Sequence, residues 1–181
     1  MTGLTEDQVL ETLSARTNLN DFLNAANAIL LSGIKQFLPH LFINNDEDIR
    51  EFAVRPLLAK SGPLDSIDVS LRLIYALGKI KKSVYADILL FSQLDEHLNA
   101  QAGIVEFHDD TAYEFVKNLR CVTDNPLMFQ SIEKMKYAGF EIFNTARYGG
   151  LVKTALSLAV TDLLKDCLLY TSDAADDGES V

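Results

Sequence analysis

The amino-acid sequence predicts an all-α fold, a single compact domain of about seven or eight helices with no sheet. Apolar residues recur three and four positions apart along the chain, which is the spacing of amphipathic helices. Nowhere do five or six residues alternate between apolar and polar with β-branched enrichment, as a half-buried strand would require. With 181 residues, 48% of them hydrophobic and 23% charged, the chain is long enough to bury one sizeable core.

Capping residues locate the first two helices. Thr5, followed three residues later by Gln8, is the signature of a capping box, so we expect a helix from there to about Ala15. Asn20 or Asp21 is the expected cap of a second helix, since both residue types are favoured at that position. The apolar stripe of this second helix is broad, which predicts a central and largely buried element.

Turn residues and prolines divide the next part of the chain. Residues 44–46 provide a turn and a cap for a third helix, with Pro56 near its end. The Gly-Pro pair at 62–63 cannot continue a helix and therefore predicts a tight connection. A fourth helix is expected over residues 67–77, and it should end at Gly78.

Four more helices complete the prediction. Ser83 is the expected cap of a helix over residues 84–98, and the acidic pair at 109–110 is the expected start of a shorter one. Two last helices are expected over residues 131–146 and 151–166, separated by a break at the glycine pair 149–150.

The last fifteen residues resemble no structural element. The run from Cys167 to Asp176, CLLYTSDAAD, matches the translation of a transposon-end sequencing adapter read in one frame. We therefore expect residues 1–166 to form the single native helical domain and residues 167–181 to be a non-native tail. An acidic, disordered native tail is the alternative.

Net charge limits the kinds of partner. The chain carries 16 Lys and Arg against 26 Asp and Glu, a net charge of −10, whereas proteins that bind duplexes neutralise phosphates with clustered basic residues. Direct nucleic-acid binding is therefore disfavoured. No apolar run is long enough to cross a membrane and the N-terminus lacks a secretory signal, so we expect a cytoplasmic protein.

The side chains that most often carry catalysis or hold metals are scattered. His40, His97 and His108 have no second ligand at helical spacing, and Cys121 and Cys167 are expected to be reduced thiols outside any zinc pattern. Nucleophile motifs, phosphate-binding glycine loops and dinucleotide fingerprints are missing from the sequence. The sequence thus predicts a protein that is not an enzyme and that uses no cofactor and no metal.

One segment has the shape of a helix-turn-helix. The two helices within residues 66–98 are joined beside a basic cluster, Lys79, Lys81 and Lys82, which is the candidate nucleic-acid contact. The second helix would present polar and acidic side chains to phosphates: Asp87, Gln93, Asp95 and Glu96. We therefore favour a simple helical hairpin in the core, with a DNA-reading role as the alternative.

The connection around the Gly-Pro pair is the predicted partner site. Arg55, Pro56, Lys60, Gly62 and Pro63 lie in a proline-stiffened segment between two strongly patterned helices, and such connections often carry binding function. The alternative is a structural turn whose leucines belong to the core.

Arg72 lies among apolar neighbours on the predicted helix over residues 67–77. An arginine on an apolar face must satisfy its five donors, so we expect a partly buried ion pair with a carboxylate. An exposed arginine whose aliphatic stem lies along the surface is the alternative.

A block in the middle of the chain resembles the signature of a known family. Its segments are Ala53 to Leu58 (AVRPLL), Gly62 to Leu64 (GPL) and Val69 to Ile80 (VSLRLIYALGKI), and similar positions continue through Asn99 to the helix ending at Asp166. On these residues the chain is similar to the mannitol operon repressor family. It departs from the family pattern at Arg55, Ser70 and Ala100, where the family has an acidic residue, an arginine and a histidine.

The resemblance implies an all-helical fold and a role in repressing an operon for phosphotransferase-system uptake of mannitol or a related hexitol. Because the chain is acidic, we expect it to act through protein contacts, with a transcription factor or a sugar phosphotransferase-system component as partner. The alternatives are an interaction module unrelated to transcription and a direct DNA binder through the 66–98 hairpin. Association into a homo-oligomer stays open.

Overall fold

The computed structural model describes residues 4–138 and 142–176, with side chains described up to Asp166 except at 142 and 143. Within these ranges the chain is helical and contains no strand, which confirms the predicted fold class. The α-helices, in chain order, are α1 (Glu6–Ser14), α2 (Leu19–Phe37), α3 (Glu47–Ile49), α4 (Arg55–Leu58), α5 (Ile67–Ala76), α6 (Lys82–Asn99), α7 (Asp110–Asn118), α8 (Arg120–Thr123), α9 (Pro126–Tyr137) and α10 (Ile142–Asp176).

Three long helices form the centre of the molecule. As predicted, α2 is central and largely buried, and it packs against α1, α6 and α10. Phe22 and Phe91 are fully buried, and each meets another phenylalanine edge to face, Phe107 at 5.7 Å and Phe115 at 4.9 Å between ring centroids. Burying side chains of this size contributes roughly 1.5–3 kcal/mol each, so this core dominates the stability of the fold.

Of the two helix starts expected from local capping signals at the beginning of the chain, one is confirmed. The capping box is confirmed, because Thr5 accepts the N–H of Gln8 at 3.3 Å and donates its own N–H to the Gln8 side chain at 2.9 Å. The expected cap at Asn20 or Asp21 is wrong. Asn18 caps α2 instead, and Asn20 accepts the N–H of Val105 at 2.8 Å.

Later boundaries differ from the prediction in three places. Ser83 lies inside α6, which begins at Lys82 without a side-chain cap. The helix expected over residues 131–146 corresponds to α9 and to the beginning of α10, and residues 139–141 between them lie outside the described residues. Helix α9 starts earlier than expected because Asn125 accepts the N–H of Met128 at 3.2 Å. The glycine pair at 149–150 does not break a helix, since both residues lie inside α10.

Candidate partner-binding surface

The segment between α2 and α5 forms an exposed helical arm. We use this name for residues 46–58, which comprise α3, a π-helical turn over Arg50–Val54 and α4; none of these residues is buried. The arm begins at Asp46, whose carboxylate accepts the N–H groups of Asp48 and Ile49 at 3.0 and 3.4 Å. The cap predicted within residues 44–46 is therefore confirmed.

A proline explains the wide turn in the arm. Pro56 has no N–H to donate to the carbonyl of Phe52, and its ring crowds that carbonyl. The N–H of Arg55 donates instead to the carbonyl of Arg50, five residues earlier. Turns of this kind are uncommon and often lie at functional sites. Both Arg50 and Arg55 line the same cavity.

Large apolar side chains lie exposed on and beside the arm. Phe52 is 77% exposed, and Ile43 in the preceding loop is 88% exposed. The exposed cations Arg55 and Lys60 are close to them in sequence. Aromatic and aliphatic side chains gain free energy when they leave water, so these positions are ones that a partner protein can cover favourably.

A cavity of about 500 Å³ lies between the arm and the 3₁₀ turn Leu38–Leu41 that follows α2. Its polar lining comes from Asn45, Glu47, Arg50, Glu51 and Arg55, and its apolar wall from Pro39, Phe42 and Val54. Arg50 donates to the side-chain oxygen of Asn45 at 3.3 Å. Among the residues that the structure describes, neither guanidinium has a carboxylate within ion-pair distance.

The Gly-Pro connection is a packed turn. The N–H of Gly62 donates to the carbonyl of Ala59 at 2.8 Å, and a β-carbon on Gly62 would lie 2.5 Å from the carbonyl oxygen of Pro56. Leu64, two residues after Gly62, is buried, and its carbonyl accepts a hydrogen bond from the hydroxyl of Ser70 at 2.8 Å. Gly62 therefore serves the turn.

The other four predicted partner residues, Arg55, Pro56, Lys60 and Pro63, are exposed. Their role in binding stays a prediction. An ion pair between Lys35 on α2 and Asp65 anchors the end of the connection to the core. The ammonium of Lys35 and the N–H of Ser61 lower the pKa of the Asp65 carboxyl by stabilising its charged form.

Helices α5 and α6 pack against each other as a hairpin that belongs to the core, with Leu71, Ile74 and Ile88 buried. The candidate nucleic-acid residues Lys79, Lys81 and Lys82 are exposed around the turn. Gly78 ends α5 in the left-handed backbone conformation, with φ of 68°, as the sequence predicts.

The position of Asp87 on α6 differs from the prediction. Expected to face solvent, it is only 1% exposed, and its carboxylate accepts the N–H groups of Arg120 and Cys121 at 2.9 and 2.8 Å. It thereby caps α8, a short helix that the sequence did not reveal. The local sequence gives no signal for this role, because the two partners lie 33 and 34 residues away.

Arg72 is paired, but the expectation of partial burial is wrong. It donates to Asp68, one turn earlier on α5, at 3.2 Å, while its side chain is 68% exposed. Leu71 and Ile74 face the core. Arg72 directly follows Leu71, so its side chain is rotated by about 100° around the helix axis and points towards solvent.

Titratable side chains elsewhere do not assemble a metal site. No group of three or more potential metal ligands lies among the described residues. Burial raises the pKa of the Cys121 thiol, and the nearby Asp87 carboxylate raises it further, so this thiol stays protonated. Cys167 lies outside the described side chains. In the part of the chain that the structure describes, no helix is long and apolar enough to cross a membrane.

Comparison with known proteins decides the family. The family described as mannitol repressor matches residues 5–167. The chain belongs to the mannitol repressor family. This family member is 32% identical over 161 residues to the mannitol operon repressor of Escherichia coli (strain K12), covering 88% of this chain and 80% of that protein. It is also 54% identical over 166 residues to Fumarase E of the same strain, covering 92% and 98%.

Solved structures of the family share the fold. A possible transcriptional regulator, YggD from Shigella flexneri, superposes with a TM-score of 0.84 at 52% identity, covering 92% of this chain and 98% of that chain. MtlR from the Escherichia coli MtlR-HPr complex superposes with a TM-score of 0.71 at 30% identity, covering 90% and 97%. The resemblance seen in the sequence is thereby confirmed across nearly the whole domain.

Proposed function

We propose that this mannitol repressor family member regulates an operon for phosphotransferase-system uptake of mannitol or a related hexitol, and that it acts by binding a protein of the HPr kind. The observation that carries the proposal is the shared fold with MtlR, which has been solved in complex with HPr, over 90% of this chain. Contact with a protein also agrees with the net charge of −10, which opposes binding to DNA phosphates.

The arm is the surface we propose for this contact. It combines an exposed aromatic side chain, Phe52, with the cations Arg55 and Lys60 nearby in sequence, and interface centres are enriched in such aromatic and arginine side chains. The proline-induced turn and the packed Gly-Pro connection hold the arm in place before a partner arrives. Little conformational entropy would then be lost on binding.

Titration calorimetry with purified HPr tests both the function and the surface. In the double variant Arg55→Ala/Lys60→Ala and in Phe52→Ala we expect binding weakened by about tenfold or more, because exposed anchors are lost, with an unchanged unfolding temperature. Arg72→Ala, which removes an exposed arginine from α5, is the matched control. Normal HPr binding by both folded variants would exclude the arm, and no binding by the unmodified chain would contradict the HPr partnership.

The relative named Fumarase E favours a second candidate function, hydration of fumarate. At 54% identity it is more similar to this chain than the mannitol operon repressor is at 32%. Two measurements on the purified chain, malate formation from fumarate and binding of HPr, distinguish the candidates. If the purified chain converts fumarate to malate, the enzyme reading gains support; if it binds HPr and forms no malate, the regulator remains.

A further inference from the structure

We infer that the cavity beside the arm binds a small hydroxylated anion, a molecule that carries a carboxylate or phosphate group together with at least one hydroxyl. This inference goes beyond the proposed protein partner, and testing it needs no partner. It rests on two observations: two arginines on either side of the π turn line one cavity, and two glutamates line the same cavity.

The anionic group would be held by two arginines. In a regular α-helix residues five apart point about 140° away from each other. The wider turn closed by the hydrogen bond from the N–H of Arg55 to the carbonyl of Arg50 makes this angle smaller. Both arginines line the cavity, and neither guanidinium has a carboxylate at ion-pair distance among the described residues. Each can offer a bidentate pair of donors to a carboxylate or phosphate.

The other polar groups of the cavity call for hydroxyls. Glu47 and Glu51 line the same space and can only accept hydrogen bonds when ionised. They would repel an anion that brings no donors, so a favourable ligand must present hydroxyl groups to them. The apolar wall, which includes Phe42 and Val54, suits the carbon skeleton of such a ligand. A volume of about 500 Å³ is ordinary for a small-molecule site.

Two sources offer this chemistry. A hydroxy-dicarboxylate such as malate carries two anionic groups and one hydroxyl, and a polyol phosphate such as mannitol 1-phosphate carries one anionic group and several hydroxyls. Fumarate, which has the anionic groups without a hydroxyl, and mannitol, which has the hydroxyls without an anionic group, are the matched controls.

Calorimetric titration of the full chain with these four compounds tests the inference. We expect malate or mannitol 1-phosphate to bind about tenfold or more tightly than its matched control. Arg50→Gln/Arg55→Gln should weaken that binding by about tenfold or more, and Arg72→Gln should not. Glu47→Gln/Glu51→Gln should remove the preference for the hydroxylated compound.

Pro56→Ala provides a test that keeps every charge. By allowing an α-helical turn, it should separate the two guanidiniums and weaken binding while the unfolding temperature is maintained. The inference is overturned if neither hydroxylated anion binds at millimolar concentration, if malate and fumarate bind equally and mannitol 1-phosphate binds no better than mannitol, or if Arg50→Gln/Arg55→Gln binds normally. None of these results depends on HPr, so they leave the proposed partner untouched.

Discussion

Asp87 shows how a single residue can join distant parts of the chain. Its carboxylate lies buried on α6 and accepts two backbone N–H groups at the start of α8, where no side chain of the neighbouring sequence serves as a cap. Such a carboxylate is stabilised by the N–H groups it accepts and by the positive end of the helix. The hydrogen bonds thereby fix the position of α8 on α6.

Replacing Asp87 by alanine should destabilise the protein by roughly 2–3 kcal/mol, because two backbone N–H groups lose a charged acceptor. Asp87→Asn should cost less, since the amide keeps one accepting oxygen. Denaturant unfolding measures both. Glu96→Ala changes an exposed residue on the same helix, and its free energy of unfolding should lie within about 0.5 kcal/mol of that of the unmodified protein. Equal losses for Asp87→Ala and Glu96→Ala would contradict the capping role.

The ion pair between Lys35 and Asp65 should make stability depend on pH. Because the folded state lowers the pKa of Asp65, its contribution is complete above the unfolded value of about 3.9 and is lost as the pH falls through the folded value. The unmodified protein should therefore unfold at a higher temperature than Asp65→Asn at neutral pH, and the difference should shrink in acid. A difference that stays constant with pH would show that the charge of Asp65 is not responsible.

At the scale of whole elements, the tertiary environment decides whether a glycine or a proline ends a helix. The sequence correctly places a break at Gly62, where three backbone carbonyls leave no room for a side chain. It incorrectly places another at residues 149–150, since the helix continues there and packing outweighs the weak helix propensity of glycine. Pro56 likewise leaves the arm helical and only widens one turn.

Two glycine substitutions distinguish these environments. Gly150→Ala should stabilise the protein by about 0.5–1 kcal/mol, because a β-carbon there meets nothing within 4 Å and alanine favours the helix. Gly62→Ala should destabilise it by about 1–3 kcal/mol through overlap with the carbonyl of Pro56. Thermal unfolding of both variants gives the comparison, and a loss of stability in Gly150→Ala would argue that the helix is interrupted there.

At the scale of the molecule, the described core reaches almost to the start of the unusual tail. Among the described side chains, the last that packs against the core is Leu164, and the family match ends at residue 167. The free energy of unfolding of a chain that ends at Asp166 should therefore lie within about 0.5 kcal/mol of that of the full chain. Denaturant unfolding of the two lengths tests this. An intact reading frame through codon 167 in an independent clone would contradict the interpretation of residues 167–181 as a non-native tail.

The net charge of the whole molecule predicts weak binding to DNA. Without residues 167–181, which contain four acidic residues and no basic ones, the net charge changes from −10 to −6. Such a chain should not bind promoter DNA specifically at physiological salt, since it releases few counterions. A mobility-shift assay tests this. Competitor-resistant retardation that disappears when Lys79, Lys81 and Lys82 are neutralised would contradict the prediction.

The sequence by itself determined the helical class, the capping box at Thr5, the central position of α2 and the family, because periodicity, caps and residue order are local properties of the chain. Only the tertiary structure decided that Asp87 is buried, that Asn18 caps α2, that Arg72 is exposed, and that Arg50 and Arg55 share one cavity. The burial of Asp87 depends on partners 33 and 34 residues away, and the cavity shared by Arg50 and Arg55 depends on a helix register shifted by a single proline. The Asn18 cap and the exposure of Arg72 depend on which face of each helix packs against the core. Local propensities are worth fractions of a kcal/mol, and burial and satisfied hydrogen bonds outweigh them.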